Sequence, residues 1–423
     1  MIATRIGKSS TTSQSASSNL ALSIPQGYFE FNVNWIGMSA KRAFKFVLLM
    51  SFVSLFADMV YEGARSVAGP LLGHLGATGA IVGVTAGLGE LLGYGARWFS
   101  GRLADKTKRY WLPTFIGYAI NLLCVPALAL AGSWPLAAGL LIGERLGRGI
   151  RKPTSSALLA HAGTQLGHGW VFGFREAMDQ LGATIGAIAI GIVLLTRHDY
   201  ILALGMLALP AIAALVVLVV ARIQFPAPQD LAAHRDIQAK GIGTSFTRLA
   251  IGGAFIAFGY ADFSLLSFRL SQEHIIAPGF IPIAYAVAML CAGAIAPIAG
   301  KLYDRFGISV AIFAFAVASM SAPLIFLGGV HLAIVGLALW GIGMGTQEAL
   351  LVAIVASGAP ANLRASAIGL FDAIFGIAWF AGSVTMGLLY DRSLFIVAGI
   401  SVLMQLIALP ILATSRRLNI SAP

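Results

Sequence analysis

The chain is 423 residues long, 58% hydrophobic and only 11% charged, with a net charge of +11 and a mean hydropathy of +0.85. A soluble domain runs at about 45 to 50% apolar and about 25% charged, so a soluble globular protein is excluded. The basic residues sit at the ends of apolar segments and form no basic domain, so membrane topology accounts for them and a nucleic-acid partner is not expected.

Residues 1–42 are rich in Ser and Thr ("SSTTSQSASS") and lack the layout of a signal peptide, so a disordered cytoplasmic tail is expected there. Two readings stay open for "GYFEFNVNW": an aromatic segment at the interface, or residues upstream of a natural start at Met38. Windows of about 20 apolar residues place spans near 44–70, 78–100, 111–131, 135–151, 169–195 and 201–222. A polar linker follows, then spans near 249–270, 279–299, 308–328, 330–356, 365–388 and 394–413. The runs are continuous where barrel strands would alternate, so helices are the expected spanning elements. The predicted fold is all-α: twelve transmembrane helices in two bundles at 43–222 and 248–414, joined by a cytoplasmic linker at 223–247 and ending in a tail at 415–423.

Lys41, Arg42, Lys45, "GRLADKTKR", "RKP", the linker, "GKLYDRFG", Arg364, Arg416 and Arg417 would all fall on one side, leaving chiefly Arg197 and Arg392 on the other. The asymmetry predicts that both termini are cytoplasmic. Cys124 and Cys291 lie within predicted spans and read as core residues. The seven histidines lie mostly at loops and ends without metal spacing, and no nucleotide-binding loop or hydrolase elbow appears. No metal, cofactor or enzymatic chemistry is expected.

The halves repeat each other. "FADMVYEGAR" places Asp58 seven residues before Arg65, and "YADFSLLSFR" does the same with Asp262 and Arg269. "SGRLAD" returns as "AGKLYD", and "GFREA" with Glu176 returns as "GLFDA" with Asp372. Three matches in the same order indicate a parallel duplication of a six-helix unit.

On these motifs the chain after about residue 40 resembles the major facilitator superfamily. Gly101-Arg-Leu-Ala-Asp105-Lys106-Thr-Lys-Arg109 is similar to its signature loop between helices two and three, with Lys108 where a second glycine should be. Gly300-Lys-Leu-Tyr-Asp304-Arg305-Phe-Gly307 is the second, equally imperfect copy. Physically, a glycine at a helix end admits a neighbouring helix, and an Asp followed by a base can hold helix termini, so these residues read as a gating latch or as short positive loops. "GERLGRGIRKPTSSALLA" is similar to the fourth helix of a bacterial and archaeal branch whose substrates are largely unassigned.

Ionisable residues at mid-span cost about 2.5–3.5 kcal/mol each on insertion scales, so they are expected to face protein or water. Asp58, Glu62 and Arg65 are spaced i, i+4, i+7 and share one stripe. Glu144 with Arg148, Arg145 beside them, Arg175 with Asp179, and Glu90 with Arg97 form similar sets, while the second half has Asp262, Arg269, Glu348 and Asp372. Two explanations stand. Glu62–Arg65, Glu144–Arg148, Arg175–Asp179 and Glu90–Arg97 pairs would lock helices together. Alternatively, carboxylates without a fixed base would carry protons, Asp58 and Asp262 first, then Glu176 and Asp372. Arg65, Arg145 and Arg175 could instead bind an anionic group.

The resemblance implies a transporter working by alternating access, with a central site from the first, fourth, fifth, seventh, tenth and eleventh spans. Proton-coupled export of a small organic or drug-like molecule by a monomer in the cell membrane is the expected function. The alternatives are an importer or uniporter of a small anion, or a non-transporting sensor or lipid-handling scaffold.

Overall fold

A computed structural model describes residues 38–107, 109–166, 168–227, 244–351, 354–355 and 364–414, and all regular structure in them is helical. The first half contains α1 (Met38–Arg65), α2 (Ala68–His74), α3 (Gly79–Thr107), α4 (Trp111–Ala127), α5 (Trp134–Leu166), α6 (His168–Arg197), α7 (Tyr200–Gly205) and α8 (Ala208–Gln224). The second contains α9 (Thr244–Gly259), α10 (Phe263–Gln272), α11 (Phe280–Phe306), α12 (Ser309–Ala318), α13 (Ser321–Leu327) and α14 (Val330–Thr346). A π-helical turn follows at Gln347–Leu351, then α15 (Arg364–Tyr390) and α16 (Leu394–Thr414). The expected tail before residue 38, the core of the linker (228–243), Lys108 and the terminal Arg416 and Arg417 lie outside the described residues.

Ten segments among the described residues are long and apolar enough to cross a membrane, against the twelve expected. The other two depart for separate reasons. Val330–Thr346 is apolar but only 17 residues long, short of the roughly 20 that a bilayer asks for. Helix α5 has length to spare at 33 residues but carries Glu144, Arg145, Arg148, Arg151 and Lys152, so it falls outside the apolar set and needs partners for these charges.

Boundaries differ from expectation in informative places. The chain expected to leave the membrane near residue 151 stays helical to Leu166, passing through Pro153. The expected loops at 101–109 and 300–307 are largely the last turns of α3 and α11, which run to Thr107 and Phe306. The first and seventh spans are each broken: α1 gives way to α2 at Ser66 and Val67, and α9 to α10 at 260–262. The second break is capped, since the Asp262 carboxylate accepts from the Ser264 N–H at 2.8 Å, satisfying one of the orphan donors of a helix start.

Packing between the halves follows three seams, α3 along α15, α6 along α11, and α2 against α10. At the crossing of α3 and α15, a Cβ placed on Gly83 would come within 2.6 Å of the Gly387 Cα. Bare backbones therefore meet there, as small residues allow in membrane helices. Tyr390 closes over Gly79 one turn further out, Phe268 and Gln272 pack on Gly73, and Phe268 meets the Tyr390 ring, so α2, α10 and the end of α15 close this end of the seam.

Gly83→Leu should lower the thermal unfolding midpoint by several degrees, because overpacking costs about 1–3 kcal/mol. Gly399→Ala, where an added Cβ meets nothing within 4 Å, should leave the midpoint unchanged. Thermal unfolding of both variants in detergent checks this.

Candidate functional site

Helices α1 and α5 carry their charges at the same interval. Asp58, Glu62 and Arg65 on α1 face Glu144, Arg148 and Arg151 on α5, and an i, i+4, i+7 spacing keeps each set on one stripe. Asp58, Glu62, Arg65, Glu90, Glu144 and Arg151 are all buried. A charge so placed is tolerable only with partners, and the partners form a continuous lattice. Arg151 Nη2 lies 3.9 Å from Asp58 Oδ1, and Arg151 Nε donates to Asn121 Oδ1 at 3.3 Å. Asn121 Nδ2 donates in turn to Glu144 Oε1 at 2.7 Å. Glu144 lies 3.3 Å from Arg145 Nε, and Arg145 Nη1 donates to Glu90 Oε1.

Arg65 joins this lattice to the second half. Its guanidinium is 3.6 Å from Glu62, 3.9 Å from Glu90 and 3.7 Å from Asp262. All three contacts exceed hydrogen-bond range, and its Nε and Nη2 make no hydrogen bond. Glu62 also receives Arg148 at 3.8 Å and a hydrogen bond from the Tyr285 hydroxyl of α11. Two ties thus cross between the halves at the closed end, Arg65–Asp262 and Tyr285–Glu62. A small pocket beside them is lined by Tyr61, Arg65, Thr85, Glu144, Arg145 and Ser264, among others. A third tie, Arg97–Asp372 at 3.8 Å, lies on the α3 and α15 seam, with Arg97 also stacked 4.3 Å over Tyr94.

The remaining expected residues separate into groups. Arg175 meets Asp179 at 3.6 Å as expected, and also donates to Ser54 and Ser156. Glu176 is exposed and accepts from Gln180 at 3.0 Å, and Glu348 is exposed in the π-helical turn. Arg269 turns away from the lattice to Glu273 at 3.0 Å and the Phe326 carbonyl, so the sequence echo of Arg65 is not an echo of place. Lys106, Arg109 and Arg305 are exposed, and the side chains of Asp105 and Asp304 lie outside the described set. The close approach expected at the paired glycines does not occur: a Cβ on Gly101 would make ordinary contact with Pro153 at 3.4 Å, and one on Gly300 would meet nothing within 4 Å.

Two expected pairs are exchanged. Glu144 contacts Arg145, whereas Arg148 reaches across to Glu62. Glu90 contacts Arg145 and Arg65, whereas Arg97 reaches the second half. The physical reason is that Arg148 and Arg97 are drawn to carboxylates on other helices, Glu62 and Asp372, which leaves Glu144 to the adjacent Arg145 and to Asn121 of α4. Asp58, expected to lack a fixed base, has Arg151 beside it. Arg151, Asn121 and Tyr285 were not singled out from sequence. Arg151 was legible, because it continues the 144, 148 stripe at i+7; Tyr285 carried no signal.

The family model described as the Major Facilitator Superfamily matches residues 47–383. The chain belongs to the major facilitator superfamily. It is 36% identical over 378 residues to an uncharacterized protein of Mycobacterium tuberculosis, covering 88% of this chain and 92% of that one. It is 24% identical over 371 residues to an uncharacterized MFS-type transporter of Methanocaldococcus jannaschii, covering 82% and 89%. The crystal structure of a peptide transporter, POT, superposes with a TM-score of 0.70 at 16% identity over 88% of this chain and 95% of that one, a likeness of fold alone. The family and the fold are those of multi-pass membrane transporters acting on small molecules, not of enzymes.

Arg151→Met leaves Asp58 as an unpaired buried carboxylate and should cost about 3–5 kcal/mol. The double substitution Asp58→Asn with Arg151→Met should recover more than half of that. A double-mutant cycle on thermal unfolding measures it, and additive losses would show that the two side chains are not coupled.

Proposed function

We propose that this superfamily member exchanges protons for a small organic molecule, exporting the molecule by alternating access of a central site to the two membrane faces. Twelve spans are counted in this reading: the ten long apolar segments, α14 with its π-helical turn, and the charge-bearing α5. The bundles are 43–222 and 248–414, both termini are cytoplasmic, and the site of residence is the cell membrane. The basic clusters at 41–45, 102–109 and 301–305 support that orientation.

The observation that carries the proposal is the pair of buried ties across the closed end, Arg65–Asp262 and Tyr285–Glu62. Each joins a titratable carboxylate of one half to a partner in the other. Arg65 is held between three carboxylates at nearly equal distance and hydrogen-bonded to none, so neutralising Asp262 leaves it two others within its own half. Proton binding would then loosen the halves exactly where they are closed, which is the coupling an antiporter needs. Asp58 is the companion site: Arg151 balances it, and Arg151 can be retained by Asn121 and by Tyr118, whose ring lies 4.5 Å away. Glu176 and Asp372 are secondary candidates, on the side where the charges meet solvent.

A second reading, an importer or uniporter of a small anion, is favoured by one feature. Arg65 presents two nitrogens without hydrogen-bond partners at the wall of a pocket, a donor set suited to an oxyanion. The Glu144 carboxylate in the same wall and the three carboxylates already facing Arg65 weigh against it.

In proteoliposomes with an imposed pH gradient, a compound selected by thermal shift should accumulate uphill with the parent protein. Asp58→Asn and Asp262→Asn should each abolish uphill accumulation and retain exchange down the compound's own gradient. Accumulation that is unchanged in both variants would remove these residues from coupling, and flux indifferent to pH in the parent would favour the uniporter.

A further inference from the structure

The contact between Arg65 and Asp262 leaves three polar atoms without protein partners. The two residues are 5% and 2% exposed, and Arg65 Nε, Arg65 Nη2 and Asp262 Oδ2 make no hydrogen bond. The other Asp262 oxygen is committed to the helix cap, where it accepts from the Ser264 N–H at 2.8 Å. On the arginine, Nε–H and one Nη2–H lie along the same edge of the planar guanidinium and point the same way, forming a fork of two donors. Buried groups of this kind are met in native proteins by other protein groups or by ordered water.

Independently of these atoms, a cavity adjoins the contact. Its walls bring together Arg65 of α1, Ala68 of α2, Ala86 of α3, Glu144 and Arg145 of α5 and Ser264 of α10. The cavity measures about 20 Å³, where about 10–15 Å³ admits one water, so a single water fits and an organic molecule does not. The separation of the orphaned atoms agrees with this. Arg65 Nη2 and Asp262 Oδ2 are 3.7 Å apart, too far for a direct hydrogen bond and well within the reach of two bonds of about 2.9 Å through a bridging atom. Charge selects the occupant. Glu144 in the wall and the three carboxylates facing Arg65 repel an anion, and Arg65 and Arg145 in the wall repel a cation. A neutral molecule that both accepts and donates suits the site.

We infer that this cavity is the site of a single ordered water, which accepts from Nε–H and Nη2–H of Arg65 and donates to Asp262 Oδ2. The tie between the halves at this end is then made through the water as well as by the attraction of the charges. Such a bridge responds to a proton. Protonated Oδ2 turns from acceptor to donor, and its only nearby acceptor is the same water, whose two lone pairs are already taken by Arg65. Three donors on one water oxygen cannot all be met, so neutralising Asp262 breaks the bridge. That consequence rests on the proton-coupled reading above, whereas the water site itself does not.

Radiolytic X-ray labelling of the full-length protein in detergent tests this, because radicals made from a bound water modify the side chains it touches. Leu72 lines the cavity and is 1% exposed, and Leu218 on α8, 0% exposed, is the reference. Leu72 should be modified at least fivefold faster than Leu218. Ala68→Val and Ala86→Val fill the cavity from α2 and from α3, and each should bring Leu72 to within twofold of Leu218. A variant that merely loosens the fold raises both rates, which is the opposite direction. Asp262→Asn keeps its amide oxygen on the cap and places an N–H where Oδ2 was, so it should slow Leu72 at least threefold. Leu72 as slow as Leu218 in the parent, a fast rate that persists in both filled variants, or no change in Asp262→Asn would overturn the bridge. A rate that falls when chloride replaces gluconate would also overturn it and assign the cavity to an anion. Labelling needs no gradient, so loss of proton coupling in vesicles would count against the transport reading alone.

Discussion

The cost of an unpaired charge away from water organises this molecule. At an effective dielectric far below that of water, a lone carboxylate or guanidinium is worth several kcal/mol against folding, and the offset comes only from geometry that supplies a partner. The first half carries most of the mid-span charge, and it answers with a lattice in place of isolated pairs: Asp58, Arg151, Asn121, Glu144, Arg145, Glu90 and Arg65 each touch the next. Helix α5, too polar to be held by lipid, is held by this lattice to α1, α3 and α4. The charges serve as the adhesive that the apolar spans obtain from close packing.

A lattice of this kind differs from locked pairs in how readily it rearranges. Most of its ionic contacts are 3.3–3.9 Å, beyond the distance of a charge-assisted hydrogen bond of about 2.7–2.9 Å. Each arginine therefore has alternatives of similar energy. Arg145–Glu90 within the first half and Tyr285–Glu62 across the halves are hydrogen bonds, as is Asn121–Glu144 at 2.7 Å. The first fixes α5 against α3 and the second fixes α11 against α1, so the loosest member, Arg65, sits between two firm points.

The sequence disclosed the architecture more fully than the site. Long apolar runs and the three repeated motifs are properties of a linear string, and burial of the backbone in lipid leaves helices as nearly the only solution. The stripe at 58, 62 and 65 was legible for the same reason, since a helix converts spacing into a face. What the string cannot carry is which helices become neighbours. Glu144 and Arg148 are ideally spaced for each other on paper, yet each finds a closer partner on another chain segment. Asp58 and Asp262 hold matching places in the repeat, but one lies within a continuous helix and the other caps a fresh start after a break. The break at 260–262 is marked by Asp262 alone, a favoured N-cap residue that reads equally well from the string as a mid-span carboxylate.

The repeat is therefore better understood as a shared frame that the two halves use unequally. Duplication supplies paired positions, but the paired residues need not keep paired roles once the halves face different partners. Arg269 shows the divergence: freed from any lattice, it bonds Glu273 and a backbone carbonyl near the closed end, while Arg65 at the corresponding place becomes the hub. The second half contributes instead a buried aromatic column, with Tyr285, Phe263, Trp340, Tyr260 and Trp379 in successive ring contact. The first half is thus held by a lattice of charges and the second by interlocked rings. The hydroxyl of Tyr285, which belongs to the aromatic column, donates to Glu62 of the charge lattice and so joins the two, alongside the Arg65–Asp262 and Arg97–Asp372 contacts.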